Sequence, residues 1–155
     1  MKFFSMFFIV LLLVTGCQSE ESFDNKKSQT ALIKTTNPPP VDLDNKDGIS
    51  TAQLVKQYVE AKEELYDVAV VEGEKEILVA YKVKHYERFH MKKIEDDLSE
   101  ALEKKFTEKD ILVSSDYKIF LEVVRMKESL NKGELTKKEA KKRLSELVDL
   151  KEATT

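Results

Sequence analysis

The chain predicts a small α+β domain of order α-β-β-α-β-α-α, with a three-stranded sheet packed against helices, and three observations carry the prediction. Residues 66–83 form two β-rich runs about a single glycine. Two Ser/Thr-x-x-Gln/Glu boxes, at Ser50 and Thr136, each precede apolar residues at helical spacing. The short β-branched run Ile111-Leu112-Val113-Ser114 then sits between two further helical stripes, which is the mixture expected of a sheet with helices on at least one face.

Each element follows from its own pattern. Ser50-Thr51-Ala52-Gln53 caps a first helix whose stripe is Leu54, Val55, Tyr58, Val59 and Leu65. Tyr66 to Val71 reads as a strand, Glu72-Gly73-Glu74 as a turn, and Ile77, Val79, Tyr81 and Val83 alternate with period two, so the pair is a β-hairpin. Leu78 and Ala80 make the second face of that strand apolar too, which predicts cover on both sides. A second helix spans about Met91 to Phe106, with Ile94, Leu98, Ala101, Leu102 and Phe106 on one face. Glu95, Asp96 and Asp97 lie near its start and Lys104 and Lys105 near its end, which suits the helix dipole.

The 111–114 strand follows, and it pairs beside either strand of the hairpin. Ser115 or Asp116 caps a third helix, Tyr117 to about Asn131, whose polar stripe is only Lys118, Glu122 and Arg125 up to Met126. So narrow a stripe predicts a mostly buried helix. Gly133 ends it, and Ala140, Leu144, Leu147 and Val148 form the inner face of a terminal helix folded back as an αα-hairpin.

The N-terminus reads differently. Lys2 followed by an apolar run from Phe3 to Val14 has the layout of a signal peptide, because a dozen or so residues fall short of the roughly 20 that span a bilayer. Val14-Thr15-Gly16-Cys17 resembles a lipobox, which implies cleavage before Cys17 and diacylglycerol on its thiol. Cys17 is the only cysteine, so lipidation also accounts for a thiol that no intramolecular disulfide can use. Residues 1–16 are thus expected to be a cleaved signal peptide, 17–49 a lipidated cysteine and disordered tether, 50–131 the α+β domain and 132–155 a C-terminal helix. The tether assignment rests on a run rich in Ser, Asn, Asp, Lys and Thr, on Pro38-Pro39-Pro40, and on the lack of either apolar period. The expected location is the cell membrane, lipid-anchored on its extracytoplasmic face.

Composition excludes several function classes. The formal net charge of −3 becomes one unit more negative when Lys2 leaves, too mild for a nucleic-acid partner. Four glycines, one of them in the signal peptide, cannot build a phosphate loop, and tryptophan is absent. Asp42 to Ile49 has the look of a calcium loop. Placing Gly48 at the sixth position, however, puts Leu43 and Leu54 where the first and twelfth ligands belong, so no metal or other cofactor is expected. Ser114 and Ser115 suit helix capping, and acidic residues fall at solvating positions, so no catalytic residues are assigned and no enzyme is expected.

One segment concentrates chemistry. Between 82 and 93 the chain places Lys82, Lys84, His85, Arg88, His90, Lys92 and Lys93 among Tyr86 and Phe89. These basic residues are the possible contact for anionic lipid or wall polymer. The alternative is a solvated strand-to-helix connection whose aromatics cap the core. Two histidines without a third ligand specify no metal site.

With the elements placed, the hairpin DVAVVEGEKEILVAYKV, the helix KKIEDDLSEALEKKF and the closing DILVSSDYKIFLEVVRM resemble the sporulation lipoproteins of the YhcN/YlaJ type from endospore-forming Gram-positive bacteria. The resemblance covers about Val55 to Met126, and the lipobox and polar tether agree with it. It implies a role in the spore envelope during sporulation or germination, possession of a membrane anchor, and an unidentified protein partner, and it brings no catalytic residues.

Overall fold

The computed structural model describes residues 36–44 and 48–153. The expected signal peptide, Cys17 and residues 18–35 and 45–47 of the expected tether lie outside the described residues. The elements run β1 (Val41–Asp42), α1 (Thr51–Glu60), β2 (Leu65–Glu72), β3 (Glu76–Val83), a 3-10 turn (His85–His90), α2 (Met91–Lys105), β4 (Asp110–Ser114), α3 (Tyr117–Lys132) and α4 (Lys137–Glu152). The predicted order α-β-β-α-β-α-α is present, preceded by one strand that the sequence reading did not place.

The sheet has the order β1-β2-β3-β4. β2 and β3 are the antiparallel hairpin, with Val70 opposite Val79, and β4 lies parallel to β3, with Ile111 opposite Ile77. The third predicted strand therefore pairs with the second strand of the hairpin, because the α2 crossover returns the chain in the same direction. β1 lies parallel to β2 on the other edge, with Val41 opposite Val71.

Helices cover both faces, as the doubly apolar sequence of β3 requires. Ile77, Val79, Tyr81 and Val83 face Ala52, Val55 and Val59 of α1 and Leu98 and Leu102 of α2. Leu78 and Ala80 face Ile119, Phe120 and Val123 of α3 and Ala140, Leu144 and Leu147 of α4. The capping chemistry is as the sequence predicts. The Ser50 and Asp116 side chains accept from Gln53 N and Lys118 N, and Thr136 and Glu139 cap α4 reciprocally. Gly133 adopts φ 72° at the end of α3, a left-handed conformation cheapest for glycine.

Two boundaries differ from expectation. α1 stops at Glu60, and Leu65 instead begins β2 opposite Val83. An irregularity between Leu65 and Asp67 shifts the register there, so Leu65 joins the α1/α2 core although Asp67, Ala69 and Val71 are on the opposite side of the sheet.

The second difference concerns the tether expected to reach residue 49. Residues 36–44 form a strap on the β2 edge, with Val41 and Leu43 buried in the α3/α4 core and Leu43 N donating to Glu72 O at 3.0 Å. An open strand edge offers unpaired backbone groups, and two apolar residues spaced two apart suffice to occupy it.

Candidate functional site

The strap is held at one end by a buried carboxylate on β2 and at the other by lysines that reach Asp44. Asp67 accepts from Thr36 N at 2.7 Å, Thr36 Oγ1 at 3.1 Å and Asn37 N at 3.1 Å, and it pairs with Lys82 Nζ at 3.0 Å. Neither the Asp67 nor the Lys82 side chain is exposed. The Lys82 ammonium also lies 4.6 Å from the centre of the Phe120 ring and 5.0 Å from that of Tyr66, where aromatic faces favour a cation. Asn37 has a positive φ of 39°, which asparagine tolerates, and its Oδ1 accepts from the buried Lys56 Nζ.

At the other end of β2, Glu72 Oε2 accepts from Ala52 N at 2.8 Å, and Glu72 Oε1 lies 2.9 Å from Lys109 Nζ. Lys109 also donates to Gly73 O and reaches Asp44, which in turn pairs with Lys141 of α4 at 3.1 Å. Burial pushes the Asp44 carboxyl up, but the hydrogen bonds from Lys141 and Lys109 outweigh it and hold it below its ordinary value. Burial likewise draws Lys109 down, and its bonds to Glu72 and Asp44 reverse that and hold it above the ordinary lysine value. These groups are kept charged, which suits structural ties.

A third tie joins the helices at the β4 edge. Glu95 of α2 accepts from Ser115 N and Oγ and from Lys151 of α4. Burial raises the Glu95 pKa, and the Lys151 and Ser115 hydrogen bonds bring it below its ordinary value. The Tyr81 hydroxyl lies nearby, pushed up by burial and then by the Glu95 charge, with Ser115 drawing it partly back. A phenol held neutral in this way is not poised as a base.

The structure divides the basic segment singled out in the sequence. Lys82 leaves it: the side chain expected to contact anions is instead buried against Asp67, because position 82 faces the α3/α4 side of β3. Lys84 is half-buried, its N–H donating to Glu64 O at 2.9 Å, and it opens the 3-10 turn. His85, Arg88 and His90 on the turn and Lys92 and Lys93 at the start of α2 are exposed. Lys92 pairs with Asp96 and Lys93 with Asp97 one helical turn on.

The aromatics do not cap the core. Phe89 is 94 % exposed and Tyr86 66 %. The 3-10 geometry explains why: with three residues per turn, positions three apart eclipse, so Tyr86 and Phe89 share one side and His85 and Arg88 another. Glu87 and His90 occupy the third side, where Glu87 Oε2 lies 3.0 Å from His90 Nδ1. The result is a short projection with an apolar edge and a cationic edge.

Sequence reasoning missed Asp67, Glu72, Lys56 and Lys109 as structural ions. The available signal was a charge at an inward-facing strand position, at 67, 72 and 82, in runs otherwise apolar. Among the described residues no group of three or more His, Cys, Asp or Glu side chains is arranged to hold a metal ion. Surface depressions beside Asn37 and Asp67, beside Ile94 and Leu98, and beside Gly73 and Leu144 measure about 220, 150 and 180 Å³. All are smaller than the roughly 300–1,000 Å³ of small-molecule sites. No helix among the described residues is long and apolar enough to cross a membrane.

A family model described as sporulation lipoprotein YhcN/YlaJ matches residues 15–148, nearly all of the chain beyond the expected signal peptide. No curated protein and no solved structure matches the chain.

Proposed function

Because the chain belongs to the sporulation lipoprotein YhcN/YlaJ family, we propose that it is a non-enzymatic envelope protein, anchored by lipid on Cys17 at the extracytoplasmic membrane face. It acts in sporulation or germination through protein contacts made by the α+β domain, and the spore inner membrane region is its place of work. Membership of a lipoprotein family implies the membrane anchor itself. The observation that best supports a role in contact rather than in chemistry is the use made of the buried ions. Asp67, Lys82, Glu72 and Lys109 hold the strap, α1 and the hairpin together, and their side chains are buried in doing so.

Two measurements test this reading. Cys17→Ser abolishes incorporation of labelled lipid and mislocalises the protein, whereas retained labelling with unchanged fractionation would overturn the anchor. Photocrosslinking residues placed at exposed positions such as Lys118 and Lys104 give, in sporulating cells, a discrete protein adduct from one face of the domain. Charge substitution at that face then reproduces the spore phenotype of deletion. A deletion phenotype that no surface substitution reproduces, with no adduct from any face, sinks the contact reading.

A second reading is favoured by the exposure of Tyr86 and Phe89 beside Arg88, His85, Lys92 and Lys93: a binding module for anionic lipid or cell-wall polymer. Salt-sensitive sedimentation with vesicles or isolated wall is its test.

A further inference from the structure

The strap shows which end of the domain the anchor joins. Thr36 and Asn37, the first described residues, are bound to Asp67, and Asp67 lies opposite Lys82 near the end of β3. The 3-10 turn projects from that same end, beginning at His85. From there the strap runs along β2 toward Glu72, so the Gly73 turn, Lys109 and Lys141 lie at the opposite end. The segment that leads from Cys17 therefore enters the domain, 19 residues on at Thr36, at the end that carries Tyr86 and Phe89.

We propose that this end docks on the bilayer that holds the Cys17 lipid, with Tyr86 and Phe89 inserted at the headgroup level and Lys84, Arg88, Lys92 and Lys93 facing anionic headgroups. The inference rests on the reading that Cys17 carries the lipid. Aromatic side chains favour the interface, and flanking cations favour an anionic leaflet. Two aromatics on one edge of a six-residue turn, with cations on the next edge, make an amphipathic wedge of the kind that sits at a bilayer interface. Tethering makes weak insertion sufficient, since a short linker holds its cargo at about millimolar effective concentration. Acyl chains supply the anchoring; the wedge supplies orientation.

The electrostatic share is modest. Glu87 lies against His90, while the Lys92–Asp96 and Lys93–Asp97 pairs are exposed and cost little to separate. Glu63 and Glu64 border the same end. Each Lys or Arg at an anionic surface strengthens binding about fivefold, so Arg88 and Lys84 tune a docking that the aromatics drive.

The chain has no tryptophan, which makes single-tryptophan reporters available. The lipoprotein, produced with its own signal sequence and carrying Phe89→Trp, is purified and reconstituted into vesicles of phosphatidylcholine with or without phosphatidylglycerol, the acyl chains brominated. Leu54→Trp is the control, because Leu54 is also apolar and 44 % exposed but lies on α1 toward the Glu72 end. Bromolipid quenches the Phe89→Trp reporter and spares the Leu54→Trp reporter. Adding Arg88→Gln lowers the ratio of docked to undocked domain about fivefold in the anionic vesicles. Equal quenching of the two reporters, or protection of the Phe89→Trp reporter only by cell wall or by another protein, overturns the docking. The mass of the N-terminal peptide separates the two readings. Lipid present on Cys17 with no quenching defeats the docking alone, while lipid absent defeats the anchor and the orientation built on it.

Discussion

The strap at 36–44 and the turn at 85–90 exchange the roles their compositions suggest. The strap follows a polar run and carries three successive prolines, yet it supplies Val41 and Leu43 to the core. The turn is rich in aromatics, yet none of its six residues is buried. What separates them is the partner each meets. The strap meets an open β2 edge and, in Asp67, an inward carboxylate that needs donors, whereas the turn leaves the sheet where none of the described elements buries it. Burial in this fold is decided by unsatisfied backbone and side-chain groups as much as by hydrophobicity.

The largest expected effect comes from removing the carboxylate that makes the strap's first anchor. Asp67→Ala strands the Lys82 ammonium without its carboxylate between the Phe120 and Tyr66 rings, and it takes away the acceptor of Thr36 N, Thr36 Oγ1 and Asn37 N. Breaking a buried pair from one side costs about 3–5 kcal/mol, much of what a small domain has. Denaturant unfolding measures the loss. A cost below about 1 kcal/mol would show that Asp67 is not the group that fixes the strap.

Removing the strap itself comes next. A chain beginning at Asp47 loses the burial of Val41 and Leu43 and takes from the buried Asp67 the donors that Thr36 and Asn37 supply. A destabilisation smaller than that of Asp67→Ala is expected, read as a lower denaturation midpoint. The composition of 18–49 predicts the opposite, that a start at Asp47 costs nothing, so unchanged stability would return the strap to the tether.

That contrast shows what the sequence discloses and what it withholds. Helices and the hairpin are legible because their apolar residues repeat many times at a fixed period and their caps are local, as at Ser50, Asp116 and Thr136. A two-residue strand has no period, so β1 leaves no pattern to find. Ion pairs such as Asp67–Lys82 and Glu72–Lys109 join residues far apart in sequence, and only the hairpin register and the β3–β4 crossover bring them together. The basic segment at 82–93 was visible as composition. That Lys82 turns inward follows from its parity with Leu78 and Ala80, which the same alternation could have supplied.

Acid sharpens the comparison because the strap's far end titrates. Asp44 and Glu95 are held below their ordinary values of 3.8 and 4.5, so the stability they contribute is complete above those values and is lost as pH falls through the lower folded-state values. Denaturation midpoints should therefore decline from about pH 4.5 downward, with the contacts of α4 to Asp44 and Glu95 loosening together. Asp44→Asn combined with Glu95→Gln should lower stability near neutral pH and flatten the acid limb. An acid limb identical to that of the unaltered protein would assign the loss to other carboxylates.

The smallest effect on stability belongs to the turn, and there a null result is informative. Tyr86→Ser and Phe89→Ser remove side chains that are mostly in water, so each should change the unfolding free energy by about 0.5 kcal/mol or less. Phe120→Ala is the matched control in the α3/α4 core: Phe120 is fully buried, and its truncation should cost about 3–5 kcal/mol and uncover Lys82. If Phe89→Ser cost as much as a core truncation, the turn would have to pack on the fold and its aromatics would not be free to meet a membrane. If Phe89→Ser is neutral in solution yet abolishes the spore phenotype that the intact gene supports, the exposed ring is retained for contact rather than for folding. The turn would then be the functional counterpart of the strap: one segment fastens the domain to its anchor, and the other sets how the domain faces the surface beneath it.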